Sequence, residues 1–264
     1  MTNLCILMHL AVVFALTSCV TLERSPPANE PIAPTTAVIS AVPTAELPAA
    51  ELLARGLALR VQGEDERAAL DFSALLATYP AAAEAREARY FLAEVCAPGR
   101  WNSAIELFRA LAVEPYADPL AQRALFWLAL GYENAGDAAQ AVDAYARYRA
   151  LNTPIEPYAA WRQADQLAVL DRDAESATAL QHVVNSALAP RQRASAAEQA
   201  IAAARARGDA DAALALYTDL LAFAQQPQYR ARLLVEAAEL ARTDGDSAQA
   251  VAWLGAALAE APGN

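Results

Sequence analysis

Arginine is the only side-chain cation this sequence uses apart from two histidines, and that choice removes much chemistry at once. All twenty basic residues are arginine and none is lysine. A phosphate-loop lysine and a Schiff-base lysine are therefore excluded. His182 is the one histidine after His9, which also excludes a histidine-dependent triad and a His-x-x-x-His zinc site. No Gly-x-Ser-x-Gly and no paired-cysteine motif occurs, and Asp244-Gly245-Asp246 lacks the further ligands of a calcium loop. The acids are many but scattered, the pattern of solvated helix faces rather than of a carboxylate pair. What remains is recognition, because a planar guanidinium presents forked donors that match a carboxylate. The sequence predicts no catalytic residue, no metal ligand and no cofactor.

The elements that would position these arginines are helices. In residues 122–151, Leu125, Leu128, Ala129 and Tyr132 fall three or four apart, on one face of a helix. Gly136 can end that helix in the left-handed conformation and Asp137 can cap the next, whose inner side is Ala138, Ala141, Val142 and Tyr145. The hairpin recurs. With the turn glycine set at position 15, units begin near Ala49, Ala85, Gln122, Tyr158, Ala194 and Ala231, and the turns are Gly63-Glu64, Gly99-Arg100, Gly136-Asp137, Arg172-Asp173, Gly208-Asp209 and Gly245-Asp246. Position 20 holds Ala68, Ala104, Ala141, Ala177, Ala213 and Ala250; position 24 holds Phe72, Phe108, Tyr145, Gln181, Tyr217 and Leu254. First (A) helices are expected near 48–62, 82–97, 119–135, 157–170, 190–207 and 227–243. Second (B) helices are expected near 65–78, 101–113, 138–151, 173–187, 210–224 and 247–260. Pro48, Pro119, Pro157, Pro190 and Pro227 stand where A helices begin, a position that tolerates a missing N–H.

Small residues at position 20, aromatics at 24, a turn glycine and the closing Pro80 and Pro262 resemble the tetratricopeptide repeat, over residues 49–264. The resemblance implies an all-α fold, an α-solenoid of about six hairpins in a right-handed superhelix. It departs from the family in a period of 36 or 37 residues rather than 34 and in the fourth unit, which lacks both the turn glycine and the aromatic. In that family a concave groove is lined by A-helix positions 2, 5, 9 and 12. Carried onto this chain, those positions hold eight arginines, Arg60, Arg86, Arg89, Arg123, Arg162, Arg205, Arg232 and Arg242, against three acids, Glu133, Glu198 and Glu239. Arg60, Arg205 and Arg242 also sit in last turns, where a cation offsets the helix dipole. Arg86, Arg89, Arg123, Arg162 and Arg232, with the aromatic Phe126, are the expected groove-binding residues, and they imply an acidic protein or peptide partner.

The amino-terminal region reads as an address. Residues 4–16 are apolar apart from His9, too short to span a membrane, and Leu16-Thr17-Ser18-Cys19 resembles the lipobox of bacterial lipoproteins. The resemblance implies a signal peptide over 1–18 and lipid attachment at Cys19. Residues 19–47, with Pro26, Pro27, Pro31, Pro34 and Pro43 and neither glycine nor aromatic, are expected to be a tether reaching about 80 to 90 Å if fully extended. The domain of 48–264 would then hang from a membrane, the outer one where the cell has two. Cys96 is the one cysteine left for the folded part and reads as a small buried hydrophobe.

The formal charge of −11 argues against nucleic acid, whose phosphates need a basic face. The favoured reading is a non-catalytic, lipid-anchored extracytoplasmic scaffold of envelope assembly, similar to the repeat lipoprotein of the outer-membrane β-barrel assembly machine. The alternative is the superhelical portion or adaptor of a lytic transglycosylase system; the Glu-Ser motif of that enzyme class has no counterpart here, since Glu175-Ser176 falls in a turn of the array. After the last helix only Ala261-Pro262-Gly263-Asn264 remain, so a second copy, another protein or a downstream domain is expected to cap that end.

Overall fold

The computed structural model describes residues 47–260; Cys19, the expected signal peptide and nearly all of the expected tether lie outside them. Among the described residues there are twelve α-helices and no strand. They are α1 (Ala49–Val61), α2 (Asp65–Thr78), α3 (Ala85–Cys96), α4 (Trp101–Leu111), α5 (Pro119–Asn134), α6 (Ala138–Arg149), α7 (Glu156–Val169), α8 (Asp173–Val184), α9 (Pro190–Ala206), α10 (Ala210–Phe223), α11 (Pro227–Asp244) and α12 (Ser247–Glu260). Odd-numbered helices are the A helices and even-numbered ones the B helices. The chain divides into two compact units, one ending at Leu111 and the other beginning at Ala112. Within each, every helix packs against the next in sequence, as in a solenoid.

Local chemistry sets the helix ends. Pro119, Pro190 and Pro227 open α5, α9 and α11, because their missing N–H would be unpaired there anyway. Asp118 Oδ1 accepts from the N–H groups of Leu120 and Ala121 at 2.9 and 3.0 Å, and Asp137, Asp209 and Asp246 each accept one such bond at the starts of α6, α10 and α12. Gly63, Gly136, Gly208 and Gly245 take positive φ at the hairpin turns. Gly99 does not. There the turn is made by a bond from Arg100 N–H back to Cys96 O at 2.8 Å, four residues away rather than the five seen at Glu64, Asp137, Asp209 and Asp246. The glycine at 99 is thus not demanded by its backbone.

The fourth hairpin corrects the repeat register. Its left-handed residue is Asp171, φ 55°, and Arg172 N–H closes the turn on Leu167 O at 2.9 Å. Asp171 therefore takes the place of the turn glycine, one residue earlier than the expected Arg172. Aspartate tolerates that conformation better than most residues, which is how the turn survives without glycine. Position 20 of this unit becomes Ser176 and position 24 Leu180, both buried, whereas the expected Ala177 and Gln181 are only partly so. Ser176 compensates its burial by donating its hydroxyl to Ala164 O at 2.9 Å.

Position 20 is the packing pivot. Ala68, Ala104, Ala141 and Ala213 are fully buried, and beside them the position-24 rings of Phe72, Phe108, Tyr145 and Tyr217 fill the hairpins. In the first unit the Phe72 and Phe91 rings stack at 5.9 Å between centroids. Cys96 is buried and unpaired by any disulfide, as its reading as a small hydrophobe anticipates. Among the described residues no helix is long and apolar enough to cross a membrane.

Candidate binding groove

Once the fourth unit starts at Pro157, the residue at its position 5 is Trp161 and the residue at position 9 is Asp165. Arg162 leaves the groove set. In the compact unit that begins at Ala112 the groove positions then carry Arg123, Arg205, Arg232 and Arg242 against Glu133, Asp165, Glu198 and Glu239, an even balance. The basic surplus is confined to the compact unit that ends at Leu111, whose groove positions hold Arg60, Arg86 and Arg89 and no acid.

Several of these arginines are spent inside the chain. Arg60 pairs with Glu94 at 2.7 Å and lies over the Phe91 ring. Arg162 pairs with Glu133 at 2.5 Å across the α5–α7 seam, while the Tyr145 hydroxyl donates to the other oxygen of Glu133 at 2.7 Å. Burial first, and then the Glu133 charge, pushes the Tyr145 phenol far above its ordinary value, so it stays a donor. A second seam repeats this with the charges exchanged: Arg205 donates to the Tyr217 hydroxyl at 3.4 Å, and Tyr217 donates to Glu236 at 3.2 Å. In both seams the participants are position 12 of one A helix, position 24 of its B helix and position 6 of the next A helix. Arg232 bridges Glu198 and Glu236 at 3.1 and 3.0 Å. Arg86 and Arg123 also have partners in the chain. Arg89 is half-buried on α3. Arg86 and Arg89 belong to the first unit, and Arg123 to the second.

Phe126 does not present its ring to solvent. It is only 4% exposed, because the rings of Tyr145, Tyr148 and Tyr158 surround it at 6.1, 5.2 and 6.2 Å. Its role is to wall the α5–α7 seam.

The open faces of α7, α9 and α11 offer different groups. Trp161 Nε1 donates to Gln199 at 2.6 Å, and the Tyr229 hydroxyl donates to Glu198 at 2.9 Å, the same carboxylate oxygen that Arg232 reaches. The Arg232 guanidinium lies 5.1 Å from the Tyr229 ring centre. Beside this network a cleft of about 450 Å³ opens between the first turns of α9 and α11, with Arg191, Ser195, Glu198, Phe223, Gln225 and Tyr229 on its walls. Arg193 stacks on one of these wall residues, with its guanidinium 4.0 Å from the Phe223 ring centre. On α7, Asp165 is held above the ordinary carboxylate value, chiefly by lost solvation; Glu133 adds to the effect and Arg162 opposes it. Trp161, Tyr229 and the cleft are absent from the sequence-derived site. Trp161 was legible in principle, since treating Asp171 as a left-handed residue brings it to position 5.

Among the described residues no group of three or more His, Cys, Asp or Glu is placed to hold a metal. Glu175 and Ser176 lie in the first turn of α8 rather than in the turn before it; Glu175 is forked with Arg172, both contacts 2.7 Å, and Ser176 is buried.

No protein-family model matches the sequence, and no curated protein is significantly similar to it. Solved structures do resemble the fold. The C-terminal part of a tetratricopeptide-repeat-containing protein from Cytophaga hutchinsonii superposes with a TM-score of 0.59 at 16% identity, covering 82% of this chain and 85% of that one. A tetratricopeptide repeat protein from Parabacteroides merdae gives 0.54 at 15% identity, covering 80% and 79%. At such identities the likeness speaks for the fold alone, and the fold is an α-solenoid of tetratricopeptide-type hairpins.

Proposed function

We propose that this chain is a non-catalytic scaffold that binds a protein or peptide segment along the A-helix faces of its second unit. The observation that carries the reading is the row of Trp161, Glu198, Tyr229 and Arg232 beside the cleft of α9 and α11. Aromatic faces and amide, hydroxyl and guanidinium donors stand together there on rigid helices, the mixture that recognises a peptide backbone and its side chains. The even charge balance of these positions supports a partner held there chiefly by apolar and hydrogen-bonded contacts. For the unit ending at Leu111, taken by itself, an acidic segment is proposed, since its groove positions hold Arg60, Arg86 and Arg89 and no acid.

The scaffold is further proposed to work outside the cytoplasm in envelope assembly, held to a membrane by a lipid on Cys19. The support is the Leu16-Thr17-Ser18-Cys19 motif behind an apolar segment. Several acyl chains bind almost irreversibly, since each buried methylene contributes about 0.8 kcal/mol.

Cross-linking in the intact cell tests both parts. The full chain should capture a defined protein from the membrane fraction, and Trp161→Ala combined with Tyr229→Ala should abolish that capture while the outer-face change Arg109→Ala keeps it. Equal capture by all three would overturn the groove reading. Cys19→Ser should move the protein to the soluble fraction, and its retention in membranes would overturn the anchor.

A further inference from the structure

Every B helix in the second unit has two sides to cover. One faces its own A helix: in α12 this is Ala250 and Ala257, both buried, with Trp253 packed against the same core. The other side is covered in α6 and α10 by the A helix that follows. Val142 and Tyr145 are buried under α7, where Gln163 Nε2 donates to Val142 O at 3.1 Å. Leu214 and Tyr217 are likewise buried where α11 packs. The equivalent residues of α12 are Val251 and Leu254, and they stand 69% and 45% exposed, with Leu258 at 67%. Their spacing of three and four residues makes a single stripe. Gly255 lies within it.

We propose that this stripe is the contact surface for a second copy of the chain, α12 against α12 about a twofold axis, with the helices crossing near Gly255. Three observations favour this occupant. The stripe itself bears no charge, and the only charged side chain of α12, Glu260, is tied to Arg230 at 2.6 Å. For a chain of net charge −11, most pairings of identical surfaces set like charges against each other, whereas this face meets itself without that repulsion. Gly255 supplies the third. A glycine inside a helix weakens it, and at Gly56 the reason is visible, since the Phe72 ring occupies the space a Cβ would need. At Gly255 a Cβ would meet nothing within 4 Å among the described residues. A neighbouring helix crossing close to the backbone gives that glycine a use, as small residues do wherever two helices approach closely. The inference goes beyond the groove reading and does not depend on it, because α12 contributes nothing to the cleft.

Sedimentation equilibrium on the full chain tests it. The expected result is a reversible dimer. Val251→Glu and Leu254→Glu should each convert it to monomer with unchanged helical circular dichroism, since both side chains already face solvent, while Leu70→Glu on the exposed side of α2 leaves the dimer intact. Gly255→Leu should weaken the dimer about tenfold or more by blocking the crossing point. A chain that is monomeric at every concentration, or a dimer that withstands Val251→Glu, would overturn the proposal.

Discussion

The single hydrogen on Gly56 lets the Phe72 ring lie against α1. A Cβ built there would sit 2.5 Å from Phe72 Cε1, inside any tolerable contact. Intrinsic helix propensity favours Gly56→Ala by about 1 kcal/mol, while overpacking a filled core costs about 1 to 3 kcal/mol. The packing term wins, because Phe72 is fully buried and stacked on Phe91 with no room to retreat. Gly56→Ala should therefore lower the urea midpoint, and a rise would show that the ring has freedom the packing denies it. Glu156 carries a pH dependence. Burial opposes its ionisation, but hydrogen bonds from Arg149 at 2.7 Å and His182 at 2.6 Å, with their charges, outweigh burial and hold its carboxyl below the ordinary value. A carboxyl depressed in the fold contributes stability that is fully present above its unfolded value and is lost as pH falls through the folded one. Glu156→Gln should thus lower Tm at neutral pH, and its gap to the wild type should close as the medium is made more acid than the ordinary carboxylate range. A gap that stays constant with pH would count against the ion pair as its source.

At the scale of elements, two seams use one geometry with opposite charge order. Glu133 on α5 pairs directly with Arg162 on α7 and also accepts from Tyr145, whereas Arg205 on α9 is linked to Glu236 on α11 through the Tyr217 hydroxyl. The tyrosine hydroxyl can both donate and accept, so either order satisfies it. Charge exchange should consequently be tolerated at the first seam. Glu133→Arg or Arg162→Glu alone would set like charges together beside a buried phenol and is expected to cost about 1 to 3 kcal/mol. The double exchange should recover most of that loss in thermal denaturation, and a strictly additive loss would show that the two residues do not act on each other.

For the whole molecule the division at Ala112 is the consequential feature. The second unit has its own core, in which Leu180, Val183, Ile201, Tyr217, Leu220 and Leu233 are buried together, and its first helix is capped locally by Asp118. A fragment of residues 112–264 should fold on its own, with a helical spectrum and a cooperative melt. A fragment that is helical but melts without cooperativity would mean that the first unit supplies part of the second unit's core.

Helix positions were legible in the sequence because their causes are local. Proline at the first turn, aspartate before it and glycine after the last turn act within a few residues, and the observed helices fall within about three residues of the expected ones. The fourth register was misread for the same reason: its turn is local too, but Asp171 takes the left-handed place that a family pattern reserves for glycine. The fate of the arginines is another matter. Arg60, Arg162 and Arg232 look alike in sequence to Arg89, yet each meets a carboxylate more than twenty residues away, and no linear spacing announces a partner brought in by helix crossing. Val251 and Leu254 likewise repeat the spacing of Val142 and Tyr145. Only tertiary structure separates a stripe buried under the next helix from one left open, because burial belongs to the neighbour and the pattern belongs to the helix itself.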